Sequence, residues 1–134
     1  MEKSKELIVL VDDSHTNLRI GRNVLAGKYN VATVPSAKKL FLVLEKNKAA
    51  LILLDIDMPE MNGYEAIKVL KEKPETRDIP VIFLTARSKQ QDKATGFSLG
   101  AVDYITKPYN PSMLMKRIET HLSCPSAKVK KSKS

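Results

Sequence analysis

The chain has 134 residues, a net charge of +8 and 43% hydrophobic residues. This length suits one compact domain, and the hydrophobic content excludes a chain that is disordered throughout. No apolar run approaches the ~20 residues that cross a bilayer, so we expect no membrane segment. The single cysteine, Cys124, excludes an internal disulfide, and these features together predict a cytoplasmic protein.

The positive charge is concentrated at one end of the chain. Four lysines lie in the last seven residues, and removing them from the 23 basic residues leaves 19 against 15 acidic ones. We therefore predict a domain over residues 1–123 and a basic, disordered tail or linker over residues 124–134. Binding of nucleic acid by this tail is the minority interpretation, because no aromatic residue is interleaved with its lysines.

Short apolar runs and segments of helical spacing alternate along the chain. The apolar runs are residues 7–11, 31–34, 51–54, 81–84 and 102–105, and the helical segments are residues 15–25, 37–44, 63–70, 88–99 and 111–122. The first, third and fourth runs are nearly continuous in Val, Ile and Leu, as in strands that are buried on both faces. The pattern predicts an α/β fold, with a doubly wound parallel sheet of five strands flanked by five helices.

Polar side chains follow four of the predicted strands. Asp12 and Asp13 follow the first strand, Asp55 the third, Thr85 the fourth and Lys107 the fifth. Ligands of such sheets bind outside the carboxyl ends of the strands, so these side chains should converge there. One acid at a strand end could be a helix cap or a solvated turn residue, but that interpretation becomes improbable for all five positions together.

The chemistry of these side chains points to a hard cation and a phosphoryl group. Crowded carboxylates repel one another unless a cation neutralises them, and Mg²⁺ prefers oxygen ligands. No set of His and Cys suitable for zinc is present. A carboxylate beside a metal and a lysine can attack a phosphoryl group, because the two cations stabilise charge on its equatorial oxygens.

The pattern over residues 6–122 resembles the bacterial response regulator receiver domains of two-component systems. It consists of Asp12-Asp13, Asp55 with Met58-Pro59, Asn62-Gly63, Thr85-Ala86 and Lys107-Pro108. The resemblance implies a flavodoxin-like, chemotaxis-regulator-like fold with the strand order 2-1-3-4-5. It also implies that the chain is not an enzyme but a phosphoacceptor, which assists its own phosphorylation and dephosphorylation.

The same resemblance implies a phosphoacceptor and a magnesium site. Asp55 would accept the phosphoryl group. Asp13, Asp55 and the backbone carbonyl of Asp57 would bind Mg²⁺ directly, while Asp12 would act mainly through a coordinated water. Mn²⁺ could take the place of Mg²⁺.

The remaining residues of the pattern would hold the phosphoryl group and report its presence. Thr85 and the amide of Ala86 would bind the phosphoryl oxygens, and Lys107 would form an ion pair with the phosphate. Thr85 and Tyr104 would form a switch, in which the Tyr104 ring turns inward as Thr85 moves towards the phosphate. The Lys107-Pro108 peptide bond would be cis.

The resemblance further implies a class of partners. A sensor histidine kinase or a phosphotransfer protein would donate the phosphoryl group. The face formed by the fourth helix, fifth strand and fifth helix would control an output partner, an appended output domain or a phosphorylation-dependent homodimer. Binding of nucleic acid within these residues is not expected, because no helix-turn-helix pattern is present.

Other interpretations remain open. The chain could be the receiver fragment of a cyclic-dinucleotide enzyme or of a hybrid kinase, or a receiver-like binding module that is not phosphorylated. Asp55-Ile56-Asp57 also resembles the Asp-x-Asp of a phosphatase family, but that family carries the pair after its first strand. The sequence beyond Ser134 would distinguish most of these possibilities.

Three expectations concern residues outside the core of the pattern. The resemblance places Asp57 and Arg87, two positions after Asp55 and Thr85, at the mouth of the site. Their opposite charges could pair there as a gate that limits access of water, and two independently solvated side chains are the alternative. The segment 88–99 is polar, which predicts a poorly anchored fourth helix. His121 has no acid partner that the sequence reveals.

Overall fold

The computed structural model describes residues 5–122, which form five β-α units. The strands are β1 (Leu7–Val11), β2 (Asn30–Val34), β3 (Leu51–Leu54), β4 (Val81–Thr85) and β5 (Asp103–Thr106). The helices are α1 (His15–Leu25), α2 (Ala37–Lys46), α3 (Gly63–Glu72), α4 (Gln90–Ser98) and α5 (Pro111–Leu122). Every predicted element is present, with boundaries that move by at most two residues. The predicted tail, residues 124–134, lies outside the described residues.

The five strands form one parallel sheet in the order β2-β1-β3-β4-β5. This order confirms the doubly wound, flavodoxin-like arrangement. β1, β3 and β4 are central, and every residue of β3 and β4 is buried, which explains their almost uninterrupted apolar sequences. Among residues 5–122, none of the helices has the length and apolar composition required to cross a bilayer.

Alternate side chains of each strand enter two separate cores, because successive residues of a strand point to opposite faces. Val9 and Val11 pack on the face covered by α2 and α3, whereas Ile8 and Leu10 pack against α1 and α5. The carboxyl ends of the central strands are therefore fixed from both sides. This rigid edge is where the polar side chains emerge.

Two helix starts near that edge are fixed by side chains. Ser14 accepts a hydrogen bond from the Asn17 N–H at the start of α1. Asn62 and Glu65 form a capping box at the start of α3. Within this capping box, only glycine fits at position 63, because a Cβ on Gly63 would lie 2.5 Å from the Asp55 carbonyl oxygen. The loop after Asp55 is therefore tightly folded.

The helix α4 differs from the other four. Its N-cap residue, Lys89, makes no side-chain capping bond, and Gly96 is its only buried residue. These two features agree with the prediction that few side chains anchor the fourth helix. However, the start of α4 is held from outside, because the Tyr64 hydroxyl of α3 donates a hydrogen bond to the Asp92 carbonyl at 3.2 Å.

The expectation that His121 lacks an acid partner is wrong. Its Nε2 lies 3.1 Å from Oδ2 of Asp103, and Arg117 Nη1 lies 2.6 Å from Oδ1 of the same carboxylate. Arg117 and His121 are four residues apart on α5, so they share one face of the helix. The sequence does not reveal this cluster, because it forms only when α5 packs back against β5.

Asp103→Asn is expected to destabilise the protein at about pH 7. Burial raises the pKa of Asp103, but hydrogen bonds from Arg117, the Tyr104 N–H and His121 outweigh burial and hold it below its ordinary value of 3.8. An acid with a lowered pKa stabilises the fold above its ordinary pKa, and this contribution disappears as the pH falls through the folded-state pKa. We expect the free energy of unfolding to fall by ~1–3 kcal/mol.

Urea unfolding of wild type and Asp103→Asn over a pH series tests this effect. The difference should be largest near neutral pH and should vanish in acid. Glu72→Gln, which removes an exposed charge from α3, is the matched control and should change little. A difference that is independent of pH would show that the charge of Asp103 does not stabilise the fold.

Candidate functional site

Three acids meet at the carboxyl ends of two neighbouring strands. Asp12 and Asp13 follow β1, and Asp55 follows β3, which pairs with β1 so that Val11 lies opposite Leu54. One carboxylate oxygen from each acid lies within 4.8 Å of those from the other two. Asp12 and Asp55 are buried, with 3% and 7% of their surfaces exposed, whereas Asp13 is exposed. The structure thus brings the predicted acids together.

Lys107 approaches this acidic cluster from β5. Its Nζ lies 2.6 Å from Oδ2 of Asp12, and the Lys107 N–H donates to the Thr85 carbonyl at 2.8 Å. The Lys107-Pro108 peptide bond is cis, as the resemblance implied. In this structure the ion-pair partner of Lys107 is therefore Asp12.

Asn17 is a neighbour of the site that the sequence reasoning missed. Its Nδ2 donates a hydrogen bond to Oδ2 of Asp12 at 3.3 Å, and the Ser14 N–H donates to Oδ1 at 2.9 Å. Both contacts arise from the turn that starts α1 directly after the acidic pair. The available signal was the position of Asn17 in the first turn of a helix that begins beside the site.

The carboxyl group of Asp55 lies in an environment that disfavours its charge. Burial raises its pKa from 3.8 to about 6; the neighbouring Asp12 acts in the same direction, while Lys107 and hydrogen bonds from Thr85 and the Ile56 N–H oppose the increase. Three carboxylates share one lysine, so their charges are not balanced by the protein alone. A divalent cation with a preference for oxygen fits this donor set.

The predicted switch residues lie on the neighbouring strands β4 and β5, where Thr85 pairs with Thr106 and Tyr104 pairs with Phe83. Thr85 is completely buried at the end of β4, and Ala86 follows it at the exposed edge. Tyr104 is 7% exposed, so its ring lies inside the protein, and its hydroxyl donates to the Arg87 carbonyl at 3.0 Å. The Arg87 N–H in turn contacts Oγ1 of Thr85 at 3.4 Å. A continuous set of contacts therefore connects Thr85 to Tyr104.

Arg87 and Asp57 form an ion pair that joins the segment after β4 to the loop after β3. Arg87 Nη2 lies 2.7 Å from Oδ1 of Asp57, and Nε lies 3.0 and 3.1 Å from its two oxygens. These hydrogen bonds lower the pKa of Asp57 and raise that of Arg87. Arg87 Nη1 also lies 3.4 Å from the carboxylate of Asp92. The structure brings the two residues together, and their action as a gate remains a prediction.

The comparisons with known proteins agree with this geometry. The family model described as "Response regulator receiver domain" matches residues 8–119. A probable cyclic di-GMP phosphodiesterase of Vibrio cholerae serotype O1 is 45% identical over 115 residues, which are 86% of this chain and 26% of that protein. The transcriptional regulatory protein YvrH of Bacillus subtilis is 43% identical over 117 residues, 86% of this chain and 48% of the relative.

A solved structure of a similar protein has the same fold. The crystal structure of a putative response regulator from Chloroflexus aurantiacus J-10-fl superposes with a TM-score of 0.85 at 30% identity, covering 90% of this chain and 99% of that one. The chain therefore matches a complete receiver fold but spans half or less of those two longer relatives. With the family model covering most of its length, the chain belongs to the response regulator receiver domain family of two-component systems.

Proposed function

We propose that this receiver domain accepts a phosphoryl group on Asp55 in a reaction that requires Mg²⁺. The observation that carries the proposal is the convergence of Asp12, Asp13 and Asp55, with oxygens within 4.8 Å of one another, beside Lys107. The metal would be held by Asp13, Asp55 and the Asp57 carbonyl, with Asp12 acting through water. Bound Mg²⁺, or Mn²⁺ in its place, would neutralise the carboxylates and the phosphoryl oxygens.

The side chains of the protein have separate tasks in this transfer. A carboxylate oxygen of Asp55 attacks the phosphorus atom, a new oxygen–phosphorus bond forms, and the bond from phosphorus to the donor breaks. Thr85 and the Ala86 amide hold the phosphoryl oxygens, and Lys107 pairs with their charge. Since Lys107 contacts Asp12 here, its ammonium group needs to move only within the same cluster.

Membership of the family supports a proposal for the donor and for the output. We propose a sensor histidine kinase or a phosphotransfer protein as the donor, in the cytoplasm. The chain is then a phosphoacceptor that assists its own reactions rather than an enzyme with a separate substrate. Phosphorylation is transmitted through Thr85 and Tyr104 to the face formed by α4, β5 and α5, which binds an output partner, an output domain or a second copy of the chain.

The identity of the output is the second part of the proposal. One relative is named as a probable cyclic di-GMP phosphodiesterase and another as a transcriptional regulatory protein. Each contains a matched receiver within a longer chain, which favours a receiver that controls an attached output. We propose that residues 1–123 form the receiver and that residues 124–134 are a basic tail or the start of a linker. The complete set of site residues disfavours a module without phosphorylation.

Incubation with acetyl phosphate tests the proposed function. Acetyl phosphate carries its own activated phosphoryl group, so the receiver should react without a kinase when Mg²⁺ is present. Intact-protein mass spectrometry should show one added phosphoryl group with Mg²⁺ and none with a chelator. Equal modification with and without the metal, or none under either condition, would exclude this mechanism.

The ion pair of Asp57 and Arg87 is predicted to lengthen the lifetime of phosphorylated Asp55. We propose that the pair, which lies two residues beyond Asp55 and Thr85 on their two segments, spans the entrance to the site and hinders the approach of a hydrolytic water. An exposed ion pair is worth ~0–1 kcal/mol, so Asp57→Ala and Arg87→Ala should each accelerate dephosphorylation by up to about fivefold, less at high salt. Because each substitution removes the same interaction, the double variant should show less than the summed effect.

Dephosphorylation of the wild type and these three variants, followed over a salt series, tests this gate. Lys28→Ala is the matched control, because it removes an exposed ion pair with Glu119 away from the strand ends that carry the site. The control should retain the wild-type lifetime. Strictly additive effects of the two entrance substitutions would show that Asp57 and Arg87 act independently.

A further inference from the structure

Tyr64 on α3 makes contacts that its position in a helix does not require. Its ring faces the Arg87 guanidinium, with 5.7 Å between the guanidinium carbon and the ring centroid. Its hydroxyl donates to the Asp92 carbonyl at 3.2 Å. The same ring packs edge-on against Phe83, at a centroid distance of 5.6 Å and an interplanar angle of 84°. Tyr64 therefore joins α3 to the segment between β4 and α4.

A second tyrosine holds the same segment from the opposite end. Tyr104 donates to the Arg87 carbonyl at 3.0 Å, and its ring packs against Phe83 at 6.0 Å. Residues 87–92 are consequently held at both ends by tyrosine hydroxyls. A Cβ on Gly96 would lie 3.0 Å from Phe83 and 3.1 Å from Tyr104, so the glycine lets α4 lie close to these rings.

The side chain of Arg87 depends on this arrangement. It reaches Asp57 in one direction and Asp92 in the other, and its side chain is 38% exposed. An arginine with so much exposed surface loses conformational freedom when it is held across an entrance. The face of the Tyr64 ring supplies a compensating attraction, because an aromatic ring attracts a cation that lies over it. Tyr64 thus supports Arg87 from the side of α3.

We infer that Tyr64 is a positioning residue of the site, which holds the Arg87 guanidinium across the entrance and the Asp92 carbonyl at the start of α4. The effect on the phosphorylated state rests on the function proposed for Asp55. The two parts of Tyr64 have different tasks. The ring positions Arg87, while the hydroxyl restrains the first turn of α4, which has no side-chain N-cap.

Two substitutions separate these tasks. Tyr64→Leu removes both the ring and the hydroxyl, whereas Tyr64→Phe keeps the ring and removes only the hydroxyl. Tyr64→Leu should shorten the lifetime of phosphorylated Asp55 by about two- to fivefold, the range of an exposed cation–π contact. It should have no further effect in the Arg87→Ala background, because the group that the ring positions is then absent. Tyr64→Phe keeps the ring over Arg87, so the lifetime of its phosphorylated Asp55 should equal that of wild type.

A measurement without any phosphodonor tests the inference separately from the proposed function. The NMR signal of the Arg87 Nε–H, assigned by its loss in Arg87→Ala, should be protected from solvent exchange in wild type and in Tyr64→Phe. It should exchange faster in Tyr64→Leu. Amide exchange at the start of α4 should accelerate in both Tyr64 variants. Tyr29→Phe, which removes a hydroxyl at the opposite edge of the sheet, is the matched control and should change neither signal.

The possible failures can be distinguished. If Tyr64→Leu leaves both the Arg87 Nε–H and the amides at the start of α4 unchanged, the positioning role is overturned, whether or not the protein is phosphorylated. If these signals change but wild type takes no phosphoryl group from acetyl phosphate, the positioning contact stands and the proposed function fails. Equal lifetimes for wild type and Tyr64→Leu, with wild type phosphorylated, would overturn the link to the lifetime.

Discussion

Asp55→Asn is expected to abolish phosphorylation by acetyl phosphate. The substitution leaves the size of the side chain nearly unchanged but replaces the attacking carboxylate with an amide, which is a poor nucleophile. Intact-protein mass spectrometry should therefore detect no added phosphoryl group after incubation with Mg²⁺. Asp78→Asn is the matched control, because it makes the same chemical change before β4, at the amino edge of the sheet. It should be modified like wild type.

The same variant should also be more stable than wild type when no metal is bound. Burial raises the pKa of Asp55 to about 6, so its charge destabilises the folded state. For an acid with a raised pKa, the favourable contribution is complete below the ordinary pKa of 3.8 and is lost as the pH rises through about 6. At about pH 7 with a chelator, the free energy of unfolding of Asp55→Asn should exceed that of wild type by roughly 2–3 kcal/mol.

Urea unfolding at about pH 7 and about pH 3 measures this difference, which should nearly disappear at the lower pH. Addition of Mg²⁺ at neutral pH should reduce it, since the metal stabilises wild type through the carboxylate that the variant lacks. If Asp55→Asn is less stable than wild type at neutral pH without metal, the buried charge of Asp55 does not destabilise the folded state, and this explanation is wrong.

Asp13→Ala is expected to weaken Mg²⁺ binding by at least about tenfold, which corresponds to ~1.4 kcal/mol. Asp13 is the exposed member of the acidic cluster and is proposed as a direct ligand. Removing its carboxylate deletes both an oxygen ligand and one negative charge. Titration calorimetry is a suitable measurement, and the absence of tryptophan makes it preferable to tryptophan fluorescence. Unchanged affinity would remove Asp13 from the metal ligands.

Lys107→Ala is the matched control for the effect of Asp13→Ala on Mg²⁺ affinity. It removes a positive charge 2.6 Å from Asp12, so Mg²⁺ affinity should be retained or increased. Phosphorylation should nevertheless be impaired, because the ion pair with the phosphate is lost. The opposite responses of Asp13→Ala and Lys107→Ala distinguish a specific metal site from a general loss of folding.

The fold was largely predictable because its pattern is local. Apolar runs alternate with helical segments, and each helix that buries an apolar face was located closely. The starts of the other four helices were predicted at the observed residue, whereas the start of α4 was predicted at Ser88 and lies at Gln90. Its single buried residue, Gly96, gives no apolar periodicity, and no local pattern encodes the hydrogen bond from Tyr64 of α3 to the Asp92 carbonyl in its first turn.

The acids of the site were predictable for a topological reason. Asp12, Asp13 and Asp55 follow strands, and neighbouring parallel strands bring such positions to one edge. The contacts of Asn17, Tyr64 and His121 were not predicted, because they depend on how particular helix faces pack against the sheet. A side chain on a helix reaches a partner far away in sequence only after this packing is complete.

The most direct test of the central claim is to locate the phosphoryl group on wild-type protein. After incubation with acetyl phosphate and Mg²⁺, borohydride reduces an aspartyl phosphate to homoserine, which tandem mass spectrometry can assign to one position. The proposed function predicts homoserine at position 55 and nowhere else in the chain. Homoserine at Asp12, Asp13 or Asp57 instead, with Asp55 unmodified, would contradict it.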